Sequence, residues 1–374
     1  MAENPIELRR ARYFELSSRI AELDNERLRS LLESTEPKVS SAGWGKNTVI
    51  TLSHQQVFVK HIPITKLEYE NMFSTRNFYE LPTYFNYGIG SAGLGIFREL
   101  VTHIKTTNWV LAGAIATFPL MYHYRIMPSA IQRVAIDESW LKKYVTYWGN
   151  AESVEHYIRD RANTQYDLVL FLEYVPFVLG EWLKDNLDKL QQPLAELRAT
   201  LDFLRAKGII HFDVHFHNVL TDGNQIYLTD FGLALDSSFS LTHTEQTFFE
   251  QHKFYDYGEV LRNVGHYSQW AYAQCSASVQ RELREKYGIA DGLEEYEIRA
   301  YLLDNIEQIQ RDGTIALNNC YVACITKYRA IIALMQDFVV EMYNNPQKDT
   351  EFRYGALQHL LVQSGFTSGL DTSV

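Results

Sequence analysis

Near the middle of the chain, one amide and two acidic side chains stand at spacings that suit phosphoryl transfer. Asp213 lies in His211-Phe212-Asp213-Val214-His215-Phe216-His217-Asn218, Asn218 closes that run, and Asp230 opens Asp230-Phe231-Gly232 shortly afterwards. A carboxylate on a loop after a helix can orient an acceptor hydroxyl and take its proton. An amide oxygen and a second carboxylate are hard oxygen donors of the kind Mg²⁺ prefers, shared with the phosphates of a nucleotide.

The elements that must position these residues read from local pattern. Leu201, Leu204 and the residues up to Lys207 continue a helical period that Gly208 ends. Ile209-Ile210 leads into the loop. The apolar pair Val219-Leu220, the turn Asp222-Gly223-Asn224 and a short strand at Ile226–Leu228 then form a hairpin, which should return Asp230 to the side of Asn218.

In order and spacing, His211, Asp213 and Asn218 resemble the H-x-D-x-x-x-x-N catalytic loop of the protein-kinase superfamily, and Asp230-Phe231-Gly232 is similar to its metal-binding D-F-G. The resemblance implies ATP and Mg²⁺ as cofactors, Asp213 as catalytic base, and Asn218 and Asp230 as metal ligands, with His211 mainly structural. It also assigns roles upstream. Val57-Phe58-Val59-Lys60, the second strand of a hairpin, resembles the strand whose lysine holds the α- and β-phosphates, and Gly43 and Gly45 resemble a shortened glycine loop over the nucleotide. Glu99, in a helical stretch from Ile96, is the expected partner of Lys60, with Glu68 and Glu70 as alternatives nearer in sequence. The apolar strand from Tyr166 that ends in Glu173-Tyr174-Val175 resembles the hinge strand, so Glu173 and Val175 are expected at the adenine edge. Asp256 is expected to buttress the catalytic loop from the start of a helix.

The expected architecture is α+β, a bilobed protein-kinase-like fold with a β-rich N-lobe and a helical C-lobe. Residues 1–38 read as an N-terminal helical appendage, 39–175 as the N-lobe with an insertion, 176–345 as the C-lobe, and 346–374 as a loose tail.

Other patterns compete for the same residues. His211, Asp213, His215 and His217 would share one face of an extended strand and could bind Zn²⁺, but Asn218 and the following D-F-G leave no need for it. Gly88-Ile89-Gly90-Ser91-Ala92-Gly93 fits G-x-G-x-x-G formally, yet no βαβ series surrounds it, so it reads as a flexible entry to the next helix, with nucleotide contact as a further option. Ser237, Ser238, Ser240, Thr242 and Thr244 mark a polar segment open to phosphorylation.

The acceptor is the least determined part. His215 stands where Ser/Thr protein kinases carry lysine, and H-x-D-x-H-x-x-N is similar to the aminoglycoside and choline kinase relatives and to the ubiquinone-biosynthesis kinase-like family, although no K-x-G-Q segment accompanies it. Tyr87 to Gly93 with Arg98-Glu99 resembles a bacterial protein-kinase-like group of unassigned acceptor. No A-P-E follows Asp230 before Asp256, so an ordinary peptide-docking platform is not expected. The leading expectation is an atypical kinase acting on a hydroxyl acceptor, provisionally protein Ser/Thr. A small-molecule kinase, a nucleotide-binding pseudokinase and a nucleotidyl-transferring enzyme are the alternatives.

Composition sets the outer bounds. A formal charge of −11 and a pI near 5.6 argue against a broad nucleic-acid surface. Three cysteines without metal spacing and a start rich in charges suggest a reducing, cytoplasmic setting. The apolar run from Trp109 to Tyr122 contains Pro119 and falls short of the roughly 20 residues a membrane span needs, so it reads as core and no membrane partner is expected.

Overall fold

The computed structural model describes residues 5–33, 46–129 and 136–367, and the chain is mixed α+β. It divides into two compact units, one of Met1–Pro176 with Tyr227–Phe248, the other of Phe177–Ile226 with Phe249–Val374.

The first unit is built on four antiparallel strands. After helices α1 (Pro5–Ala21) and α2 (Asn25–Glu33) come β1 (Lys46–Leu52) and β2 (Gln55–Ile64), then α3 (Lys66–Glu70), α4 (Ile96–Leu111) and β3 (Met121–Pro128). An insertion of α5 (Glu138–Tyr147) and α6 (Glu152–Ala162) leads to β4 (Tyr166–Glu173). The sheet order is β1-β2-β4-β3, and Lys60 pairs with Leu170 in the register of β2 with β4.

Strand alternation places Phe58, Lys60, Ile62 and Ile64 on one face of β2. That face packs with Leu168, Leu170 and Leu172 of β4 against Ile96, Phe97 and Leu100 of α4. The helix carrying Glu99 therefore lies on the sheet face that carries Lys60. Backbone N–H groups at a helix start need acceptors. For α4 one is met by Glu68, whose Oε1 accepts from the Ile96 N–H at 3.1 Å while its Oε2 accepts from Thr65.

The run from Trp109 to Tyr122 is divided between the end of α4 and the start of β3, with Val110, Phe118, Leu120, Met121 and Tyr122 buried. No helix among the described residues is long and apolar enough to cross a membrane.

The second unit is largely helical. It begins with β5 (Phe177–Val178), α7 (Leu179–Asp185) and α8 (Gln191–Ala206), followed by β6 (Ile209–Ile210) and β7 (Val219–Thr221), the last antiparallel to β5. The chain leaves the unit within β8 (Ile226–Leu228) and returns within α9 (His243–His252). There follow α10 (Tyr255–Val264), α11 (His266–Ala273), α12 (Ala277–Tyr287), α13 (Glu295–Asp304), α14 (Ile306–Asp312) and α15 (Asn319–Asn344), after which the expected loose tail instead forms α16 (Tyr354–Gln363).

The tail is ordered because Leu357 and Leu361 recur at helical spacing and are fully buried. Gly258 of α10 lies under these side chains. A Cβ there would stand 2.6 Å from Met335 Sδ and 3.0 Å from Leu357 Cδ1, so a larger residue would have to displace both side-chain ends.

Candidate active site

In the first unit three of the expected site residues meet. Lys60 Nζ lies 2.6 Å from Glu99 Oε1 and 2.9 Å from Asp230 Oδ1. Glu68 is engaged in capping α3 and α4, so Glu99, the more distant glutamate in sequence, is the one on Lys60. Burial works against the Lys60 ammonium, but the charges of Asp230 and Glu99 overcome it and raise its pKa above the usual lysine range. Burial likewise pushes Glu99 up, and the Lys60 charge outweighs it, holding Glu99 below the usual glutamate range. Lys60 and Glu99 are therefore both charged near neutral pH.

Two buried rings support the triad. Phe231 is fully buried, with the His103 ring edge-on at 4.8 Å and the Phe118 ring at 6.1 Å. His103 lies one turn beyond Glu99 on α4, its Nε2 3.8 Å from Glu99 Oε1. Asp230 itself has φ +64°, a left-handed conformation that costs a residue with a Cβ about 1 kcal/mol or more. Its side chain remains 44% exposed, against 6% for Glu99. Asp230 thus faces outward while Glu99 is a buried anchor.

At the strand end expected to meet the nucleotide through its backbone, the side chain of Glu173 is engaged elsewhere. Glu173 is buried and accepts from Arg9 of α1 through both oxygens, at 3.1 and 2.7 Å, and from the Leu120 N–H. Arg9 also donates to the carbonyls of Ala116 and Phe118. The Glu173 carboxylate is therefore committed to the fold, so contact with a nucleotide would fall to the backbone at 173–175. Val175 is buried. Gly43 and Gly45 lie outside the described residues.

The second unit holds the other two expected site residues, Asp213 and Asn218. Asn218 donates Nδ2 to Asp213 Oδ2 at 2.8 Å and to the Asp213 carbonyl at 3.0 Å, which fixes the carboxylate and turns the amide oxygen to the opposite side. His215 Nε2 stands 3.5 Å from Asp213 Oδ1.

The loop owes its shape to α10. Phe212 is buried at φ +65°, a strained conformation for a bulky residue. Asp256 stabilises it by accepting from the N–H groups of His211 and Phe212 at 2.7 and 2.8 Å. One face of the same helix adds Asn263, whose Oδ1 accepts from the Phe216 N–H while its Nδ2 is held by Glu259. Burial outweighs the two donors and pushes Asp256 up to about 7, with Glu259 and Asp213 adding repulsion.

The positive φ at Phe212 breaks the strand alternation on which the Zn²⁺ pattern depended. His211 is buried with Nδ1 accepting from the Asp213 N–H, whereas His217 is exposed. Among the described residues, no three His, Cys, Asp or Glu side chains form a group suited to a metal ion. An Mg²⁺ bound with nucleotide asks less of the protein, since phosphates and water fill most of its shell. Asp230 in the first unit and Asn218 in the second each carry an oxygen donor of the kind Mg²⁺ accepts.

Sequence reasoning passed over Arg9, Glu259 and Asn263. The last two carried a signal, because Asp256, Glu259 and Asn263 recur at helical spacing in a stretch read as helix. Arg9 carried none, being one of several arginines on an N-terminal helix. Comparison with protein-family models gives no match, and no curated protein matches the chain.

Proposed function

We propose that this chain is an ATP- and Mg²⁺-dependent phosphotransferase with a bilobed protein-kinase-like fold, transferring the γ-phosphate to a hydroxyl acceptor. The observation that carries the reading is the Lys60–Glu99–Asp230 cluster, with Lys60 Nζ 2.6 Å from a buried helix glutamate and 2.9 Å from the aspartate of Asp230-Phe231-Gly232. Structural ion pairs are common, but a half-exposed carboxylate kept in a strained backbone conformation beside a partly buried lysine is a costly arrangement for stability alone.

When bound, Mg²⁺–ATP supplies the transferable phosphoryl group and the charge neutralisation that the transfer needs. Of the three Lys60 N–H donors, one goes to Glu99, which fixes Nζ, and one to Asp230, which leaves one for a phosphate oxygen. Asp230 and Asn218 would hold the metal through oxygen. Asp213, oriented by Asn218, would accept the proton from the acceptor hydroxyl. The backbone at Glu173 to Val175 would meet the adenine. Catalysis on this reading comes from placement and electrostatics.

Protein Ser/Thr is the first acceptor class to test. A small-molecule acceptor of the aminoglycoside or choline kinase type is the second reading, favoured by His215 beside Asp213 in place of lysine.

The test is calorimetry of ATP binding with and without Mg²⁺ on the wild type and on Asp230→Ala. Binding that requires Mg²⁺ and is lost in a folded Asp230→Ala chain is the expected result. A folded wild type that binds no nucleotide with metal in excess would overturn the phosphotransferase reading. Nucleotide binding without any transfer would instead favour a pseudokinase, and labelled product carrying a nucleotidyl group would favour nucleotidyl transfer.

A further inference from the structure

The run Gly88 to Gly93, followed by Leu94 and Gly95, fitted a dinucleotide pattern only formally, and the reading above leaves it without a task. In the first unit it lies against the backbone that follows Asp230. The Leu94 N–H donates to the Gly232 carbonyl at 3.1 Å. Gly93 has φ +94°, and a Cβ on it would stand 3.3 Å from that same oxygen. Asn86, buried, donates Nδ2 to the Leu233 carbonyl at 3.2 Å. Two successive carbonyls just beyond Asp230 are thus held by one segment.

That segment is itself braced. The hydroxyls of Tyr147 and Tyr144 on α5 donate to the carbonyls of Ile89 and Gly90 at 2.8 and 3.0 Å. At the other end Gly95 leads into α4, whose first N–H is held by Glu68. Asp230 keeps its left-handed φ only while something prevents relaxation, and relaxation would swing its carboxylate away from Lys60.

We propose that residues 86–94 clamp the Asp230-Phe231-Gly232 backbone in the conformation that presents the Asp230 carboxylate, making Gly93 and Leu94 positioning residues for metal–nucleotide binding. The inference rests on the reading of Asp230 as a Mg²⁺ ligand. Without the clamp only a fraction of molecules present the carboxylate, and apparent affinity falls by that fraction.

The test compares full-length Gly93→Ala with Gly292→Ala. Gly292, between α12 and α13, also has positive φ, at +79°, and a Cβ there meets nothing within 4 Å, so it carries the backbone penalty outside the clamp. Calorimetry with ATP, in Mg²⁺ and in chelator, is read beside hydrogen exchange across residues 230–233. Gly93→Ala is expected to weaken Mg²⁺-dependent ATP binding about tenfold, as if one molecule in ten remained competent, and to speed that exchange, while Gly292→Ala stays within about twofold in both. Equal effects of the two variants, or unchanged exchange at 230–233 in Gly93→Ala, would overturn the clamp. If the wild type binds no Mg²⁺–ATP, the phosphotransferase reading fails by itself and the exchange comparison still decides the clamp. Should Gly93→Ala not fold, Asn86→Ala takes its place with the same expected direction.

Discussion

Asp256 shows how one buried side chain shapes a loop it does not belong to. Both its oxygens accept backbone N–H groups, and the residue between His211 and Asp213 is held in a strained conformation as a result. Its pKa, pushed up to about 7, lies above the unfolded value, so the folded chain keeps a proton that the unfolded chain releases. Stability tied to this group is complete below the ordinary carboxylate range and falls as pH rises through about 7. Asp256→Asn removes the titration and leaves one N–H facing an amide nitrogen. It should cost about 1–3 kcal/mol and flatten the change in stability between about pH 4 and 7. Urea unfolding at several pH values checks both. An unchanged pH slope would mean that another group carries it.

At the scale of elements, α1 is part of the first unit's core and more than an appendage. Leu16 and Ile20 are fully buried, and Arg9 forms a nearly solvent-free pair with Glu173. Breaking such a pair from one side strands a charge and costs about 3–5 kcal/mol, whereas replacing both partners with apolar residues can be close to neutral. Arg9→Met should therefore destabilise by about that amount, and Arg9→Met/Glu173→Leu should recover much of it. Denaturant midpoints of the single and double variants measure this, and a single-variant cost of about 0.5 kcal/mol or less, typical of a surface site, would contradict it. Helix α4 is the other organising element. One side of it joins the sheet core, its first turn presents Glu99 to Lys60, and Arg98 and Lys105 pair with Glu245 and Asp236 of the segment after Asp230.

For the molecule as a whole, the proposal assigns binding to Lys60, Glu99, Asp230 and Asn218 and proton transfer to Asp213 alone. The Lys60, Glu99 and Asp230 cluster belongs to one unit, and Asp213 with Asn218 to the other. If Asp213 serves only the acceptor proton, Asp213→Ala should bind Mg²⁺–ATP within about threefold of wild type while transfer falls by a factor of about 10² to 10⁴. Calorimetry and incorporation of labelled phosphate read the two quantities separately. Wild-type transfer in this variant, or loss of nucleotide binding, would remove Asp213 from the role of base.

Much of the local structure was legible because it depends on neighbours in sequence. The period of α8, the Gly208 stop, the hairpin before Asp230 and the helix beginning at Tyr255 follow from side-chain spacing and turn chemistry. The tail was misread because a short apolar helix looks loose until its partners, Met335 and Gly258, are in place.

What the sequence determined by itself was the set of chemically competent residues and the short elements that carry them. Tertiary structure alone decided which of these residues meet. It selected Glu99 over Glu68, which caps two helices, brought Arg9 to Glu173, and set Leu94 against Gly232. The physical reason is that periodicity and turn propensity act over a few residues, whereas a buried ion pair or a backbone-to-backbone contact forms only where packing of distant segments excludes water and fixes both partners.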